Sequence, residues 1–302
     1  MIAILLQVTC LVVLVMALLA PLESLSWWSR RYSAPTLPAP KSHPVAGIRR
    51  FAVYLSGIEV LEGNENSRRE TGTLNLVRDR LPDVVITEDV FPYAMENRGL
   101  PQRATAVLWK YLDWLRRRVR WAPAPFLINL RNVMQVLVSA DPRYGSTYNF
   151  GIATVMWRSL LNAGFDPKRP VPVTLIGYSG GAQIAVGAAR YLAAQGVTVD
   201  VVSIGGVYGD DPGLDHVASL VHLSGSRDRT QHLGTVCFPG RWFTAPLSRY
   251  GRAVRDGRIQ TVKLGPISHG GRDSYFSRSS RLPDGRTHQQ ATVDELVRLL
   301  GR

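Results

Sequence analysis

The residues best suited to chemistry run from Gly177 to Gly181, Gly-Tyr-Ser-Gly-Gly, and fit the pattern G-x-S-x-G. Short glycine-serine strings arise by chance, so the surroundings carry the meaning. The run Val171-Pro172-Val173-Thr174-Leu175-Ile176 in front reads as a β-strand, and Ala182 to Arg190 behind reads as a good helix former. A turn from strand straight into helix holds its central residue in strained backbone geometry and accepts only small neighbours, here Gly177, Gly180 and Gly181. Ser179 is therefore a candidate nucleophile. A serine hydroxyl is weakly nucleophilic at neutral pH, so it needs an imidazole to take its proton and a carboxylate to orient that imidazole. The other reading is a purely structural strand-to-helix turn in a different kind of α/β protein.

On these residues, the chain from about Phe51 to its C-terminal end resembles the α/β-hydrolase superfamily. The resemblance implies Ser179 as nucleophile at the family's elbow, with the amide of Gly180 as one oxyanion donor. The family order is serine, acid, histidine. The run Val217 to Leu223 leads into Ser224-Gly225-Ser226-Arg227-Asp228, similar to the strand end and turn where the family places its acid. Asp228 is expected in that role, with Asp210, after the preceding strand, as runner-up. The run Ile259 to Leu264 leads into Gly265-Pro266-Ile267-Ser268-His269-Gly270-Gly271, which resembles the loop that delivers the histidine, so His269 is the expected base. Structural roles are the default for His43, His216, His222, His232 and His288. The second oxyanion donor is expected from the loop after the domain's first strand, as the N–H of Gly57 or Ile58. Many family members carry His-Gly there, whereas this chain has Ser56-Gly57.

These side chains need a scaffold. Strand-like runs at Phe51 to Leu55, Val84 to Thr87, Val171 to Ile176, Val199 to Ile204, Val217 to Leu223 and Ile259 to Leu264 alternate with helix-like stretches. The helical stretches lie near Arg68 to Arg80, Phe150 to Asn162, Gly181 to Gln195 and Val293 to Leu300. Such alternation predicts a mostly parallel sheet flanked by helices, an α/β fold. The span from Asp89 to Asn149 is too long for a plain connection and is expected to form a helical insert or cap, about residues 89–149. Within it, Val107, Leu108, Tyr111, Leu112, Leu115 and Val119 share a face at helical spacing, opposite Lys110, Arg116, Arg117 and Arg120. That helix either packs on the core with a solvated basic side or rests on anionic lipid. Phe126 to Ala140 is apolar on nearly every side, too short to cross a bilayer, and expected to be buried.

From Ile2 to Leu22 only Gln7 and Thr9 interrupt an apolar run, and about 21 helical residues span roughly 30 Å of hydrocarbon. An N-terminal transmembrane helix over residues 1–24 is expected, ahead of a Pro-rich linker at 25–48 and an α/β-hydrolase domain at 49–302. A cleaved secretory signal is the alternative. Arg30, Arg31, Lys41, Arg49 and Arg50 follow the run, which favours a cytoplasmic soluble domain, and Trp27 and Trp28 lie where an interfacial belt would.

The 302 residues carry a formal net charge of +13, mostly from arginine, which suits an anionic lipid surface or nucleic acid. No dense basic run interleaved with aromatics and no zinc-finger or RNP-like motif supports nucleic acid. The two cysteines, Cys10 and Cys237, give no disulfide framework. No P-loop, H-E-x-x-H or G-x-G-x-x-G behind a strand is present, so no cofactor or metal is expected. The resemblance implies a serine hydrolase of the esterase, lipase or thioesterase kind, acting on a small-molecule or lipid ester, and the membrane features favour acyl lipids. The rival is a membrane-tethered binding or scaffold protein that keeps the fold without turnover.

Overall fold

The computed structural model describes residues 44–58, 68–92 and 124–302, with positions 7, 11, 15 and 37, while the side chains of 124–131 lie outside the description. Six strands, β1 Arg50–Leu55, β2 Val84–Thr87, β3 Val173–Tyr178, β4 Val199–Ile204, β5 Ser219–Gly225 and β6 Ile259–Gly265, form one sheet in the order β2-β1-β3-β4-β5-β6. Every pairing is parallel, so the sheet is wholly parallel among the described residues. The helices are α1 Arg68–Arg80, α2 Ala124–Ala140, α3 Gly145–Asn162, α4 Gly181–Ala193, α5 Leu233–Cys237, α6 Arg249–Arg255 and α7 His288–Leu300.

Successive strand side chains point to opposite faces, and the interior divides accordingly. Phe51, Val53 and Leu55 with Val173, Leu175, Val199 and Val201 pack against Ile152, Met156 and Leu160 of α3 and Ile184, Ala185 and Ala188 of α4. Ala52, Tyr54, Ile176, Val202, Ile204, Val221 and Leu223 meet Leu74 and Val77 of α1 and Val293, Leu296 and Leu300 of α7 on the other face. Burial on both faces explains why β1 and β3 are buried throughout and read as continuous apolar runs.

Several boundaries differ from the sequence reading, β5 among them at Ser219–Gly225 in place of Val217 to Leu223, and three have a clear local cause. β3 begins at Val173, after Pro172, because proline has no N–H to give the ladder and contributes only its carbonyl, to the amide of Phe51 at 3.1 Å. α7 begins at His288, five residues before Val293, because Thr287 and Gln290 form a reciprocal capping box. α3 begins at Gly145, ahead of Phe150, where a Cβ would sit 2.3 Å from the carbonyl oxygen of Ser139, so the α2–α3 turn closes tightly on glycine. The expectation that Phe126 to Ala140 is buried all round is corrected: Val133 and Leu137 are each 39% exposed while Asn132, Gln135 and Ser139 are buried. The polar side chains turn inward because buried polar groups there need partners. Asn132 donates to the carbonyl of Ile58, and Ser139 Oγ donates to Asn149 Oδ1 at 2.6 Å.

No helix among the described residues is long and apolar enough to cross a membrane. The apolar run Ile2 to Leu22, apart from positions 7, 11 and 15, most of the linker, and the amphipathic helix expected over Val107 to Val119 lie outside the described residues.

Candidate active site

The candidate serine sits where β3 passes into α4 with only Ser179 and Gly180 between them. Its φ is +55°, the sole positive value at a non-glycine position among the described residues. Hydrogen bonds on both sides hold this strained conformation: the Ser179 amide donates to Ile204 O at 3.1 Å, and its carbonyl accepts from Val207 N at 3.0 Å and Ala182 N at 3.2 Å. The flanking glycines are sterically required. A Cβ on Gly177 would meet Ala182 Cα at 2.5 Å, and one on Gly181 would meet Leu55 O at 2.5 Å.

Asp228 follows β5 in a turn closed by its own amide donating to Gly225 O at 3.1 Å. Its side chain is fully buried. Oδ2 lies 2.9 Å from His269 Nδ1 and also accepts from the hydroxyl of Tyr275 at 2.9 Å, while Oδ1 accepts from the Gln231 amide at 3.2 Å. Gln231 further ties the turn together by donating Nε2 to Gly225 O and Asp228 O at 2.8 and 2.9 Å. Burial is the largest single influence on the Asp228 carboxyl and pushes its pKa up. The hydrogen bond and charge of His269, the Tyr275 hydroxyl and the Gln231 amide together outweigh it and hold the carboxyl below its ordinary value. Tyr275, buried against that carboxylate, has its phenol pKa raised by burial first and by Asp228 second.

His269 lies on the loop after β6, with Nε2 2.8 Å from Ser179 Oγ. The loop is held by Arg227 N donating to Ile267 O at 3.2 Å, Ser268 N donating to Asp273 O at 2.9 Å, and Arg69 Nη1 donating to Gly271 O at 2.9 Å. The Tyr178 ring stacks on the imidazole at 5.3 Å between centroids, and the Tyr178 hydroxyl donates to the His269 carbonyl. The fold thus brings Ser179, His269 and Asp228 into one hydrogen-bonded line. Asp210 is elsewhere: its Oδ1 accepts from Tyr250 N at 2.7 Å, serving the first turn of α6.

The loop after β1 closes over the serine. A Cβ on Gly57 would lie 3.0 Å from Ser179 Cβ and 2.9 Å from the Tyr178 ring, so a larger residue is barred from this approach. Among the described residues, the amides of Gly57, Ile58 and Gly180 donate no hydrogen bond, and of the β1 loop it is Gly57 that approaches Ser179. Asn132 fixes the loop through the Ile58 carbonyl at 3.3 Å.

Of the remaining histidines, His222 is buried in β5 with Nδ1 2.9 Å from Ser203 Oγ and Nε2 3.2 Å from Gln231 Oε1. His216 and His232 are exposed, His288 opens α7, and His43 lies outside the described residues. Among the described residues no cluster of His, Cys, Asp or Glu could hold a metal ion. Tyr275, Gln231 and Tyr178 support the site and were not expected from sequence. Tyr178 occupies the variable position of the motif, and neither Tyr275 nor Gln231 stands in a recognisable spacing.

No known protein-family model and no curated protein matches the chain. Among solved structures it is similar to a dienelactone hydrolase-like promiscuous phosphotriesterase, P91, from metagenomic libraries. The identity is 12%, over 85% of this chain and 87% of that one, with a TM-score of 0.45. It is also similar to a dienelactone hydrolase from Anabaena variabilis, at 14% identity over 85% of each chain with a TM-score of 0.38. Likeness at this level says nothing about what this chain acts on.

Proposed function

We propose that the chain is a membrane-tethered serine hydrolase that transfers acyl groups from esters or thioesters to water. The observation that carries the reading is the line from Ser179 Oγ through the His269 imidazole to Asp228, at 2.8 and 2.9 Å, with the serine on a strained backbone. For His269 Nε2 to accept the serine proton, Nδ1 must carry the other proton and donate it to Asp228, whose depressed pKa keeps it charged. Ser179 Oγ bonds to the substrate carbonyl carbon as its proton passes to Nε2. Collapse of the tetrahedral intermediate breaks the bond to the leaving oxygen or sulfur, which takes that proton. Water then adds to the acyl carbon while Nε2 takes a proton from it, and the acyl–Oγ bond breaks with the proton returning to Oγ.

The negative oxygen formed in each step is met by the amide of Gly180 with that of Gly57 or Ile58, free donors that need no reorganisation. The basic chain and the apolar N-terminal run favour an acyl-lipid substrate at a cytoplasmic membrane face. A panel of acyl esters offered to the purified full chain tests the reading. Hydrolysis is expected to fall by about 10³-fold or more in Ser179→Ala and His269→Ala. Equal turnover by wild type and Ser179→Ala would remove Ser179 from the chemistry.

A further inference from the structure

The segment between β5 and β6 carries an exposed apolar surface that the proposed chemistry does not use. Phe243 is 95% exposed, Leu247 79% and Val236 69%, and Trp242 and Leu233 are about half exposed. These residues form one patch. Trp242 Nε1 donates to Thr235 O at 2.7 Å, the Arg241 guanidinium lies against Gly234, and successive turns run from Trp242 O to Ala245 N and from Ala245 O to Ser248 N. Exposed Cys237 lies within the same stretch. The patch also borders the candidate site: Phe238 packs on Gly209, Arg241 Nη1 donates to Tyr208 O at 3.0 Å, and neighbouring Val207 donates to Ser179 O.

Charge selects the occupant. From Ser226 to Arg258 the chain has seven arginines and two aspartates, and those aspartates face His269 and Arg258. Arg227, Arg229 and Arg255 are exposed with no carboxylate partner among the described residues. A second copy docked patch to patch would bring like charges together. Residues 93–123 of this chain carry seven basic residues against two acidic, the same sign again. An anionic bilayer accepts both features at once, apolar side chains in its interface and guanidinium groups on its phosphates. With its N–H bonded internally, Trp242 offers an indole ring with no unmet donor.

We propose that this surface seats on an anionic lipid bilayer, with Trp242, Phe243 and Leu247 entering the headgroup region. The inference rests on the membrane-tethered hydrolase reading, to which it adds an orientation: the C-terminal end of the strands, which carries Ser179, lies beside the lipid.

The test uses the full chain with Cys10→Ser, which leaves Cys237 as the sole thiol for an environment-sensitive fluorophore. The probe vesicles are phosphatidylcholine, alone or mixed with phosphatidylglycerol, bearing a quencher on their acyl chains. Quenching is expected to be several-fold stronger in the mixed vesicles, to weaken with salt, and to be lost in Phe243→Ser/Leu247→Ser. Both substituted side chains are exposed, so that variant keeps the fold, and it keeps the apolar N-terminal run. The proposal is overturned by an unquenched label on chain that binds mixed vesicles, by equal quenching in the double variant, or by a label shielded without vesicles through self-association or residues 93–123. Fluorophosphonate reactivity of Ser179 in the same samples separates the two readings. A seated but unreactive chain fails as a hydrolase alone, and a reactive but unseated one fails this inference alone.

Discussion

Three side chains far apart in sequence become one hydrogen-bonded line because each is fixed from two sides. Ser179 is held by backbone bonds to β4 and its following loop, His269 by the Tyr178 ring and by Asp228, and Asp228 by Tyr275 and Gln231. Tyr275 is the least expected of these. Its hydroxyl shares Asp228 Oδ2 with the imidazole and at the same time accepts from Gly225 N at 2.8 Å, so it sets both the charge density and the position of the acid. Removing that donor in Tyr275→Phe takes away one of the influences that hold the Asp228 carboxyl low, so its charged form is lost at a higher pH. The acid limb of the kcat/KM pH profile is expected to move to higher pH, with kcat/KM lowered on the order of tenfold. An unchanged profile would make Tyr275 a packing residue only. The serine was legible in the sequence from its glycine neighbours. The roles of Asp228 and His269 are implied only by the resemblance to the α/β-hydrolase superfamily, through their order and their place after two strands. The residues that orient the acid were not legible, since hydrogen bonding across a fold leaves no periodicity in the chain.

At the scale of elements, the turn that carries Ser179 is squeezed between α4 and the end of β1. Gly181 approaches Leu55 O and Ser56 O, which are backbone atoms and cannot rotate away. Gly181→Ala is therefore expected to destabilise by about 1–3 kcal/mol and to displace the serine, read as a lower Tm together with lost turnover. Thr287→Ala, which removes half of the capping box of α7, is expected to cost about 1 kcal/mol with turnover unchanged, because the Thr287 hydroxyl bonds the Gln290 amide and makes no hydrogen bond to Ser179, His269 or Asp228. The contrast separates damage to the fold from damage to the site. β2 and β4 were readable to the residue because β-branched residues make up all of Val84–Thr87 and most of Val199–Ile204. The starts of α3 and α7 were not, since Gly145-Ser146-Thr147 and His288-Gln289-Gln290 are polar and hide the helical period until the packing is seen. The inward-facing Asn132, Gln135 and Ser139 of α2 misled for a related reason: composition alone does not say which side of a helix needs hydrogen bonds.

For the whole molecule, the buried His222 links stability to pH. Burial, the main cause, and the charge of Arg241 push its pKa down to about 4, against 6.5 for the free side chain. The folded chain therefore keeps His222 neutral where the unfolded chain protonates it, and stability falls as pH drops from about 6.5 towards about 4. Urea unfolding at pH 7 and pH 5 should show the wild type losing about 2 kcal/mol more than His222→Asn across that interval. Parallel losses in the two proteins would contradict this origin. The formal charge of +13 acts at the same scale and is the long-range contribution to the proposed seating on anionic lipid.

The most direct measurement is peptide mapping by mass spectrometry after exposure of the full chain to a fluorophosphonate. A serine hydrolase built on this geometry gains a single phosphonyl adduct on Ser179, and His269→Ala, which cannot take the hydroxyl proton, gains none. A wild-type chain that stays unmodified, or one modified only at other residues, contradicts the assignment.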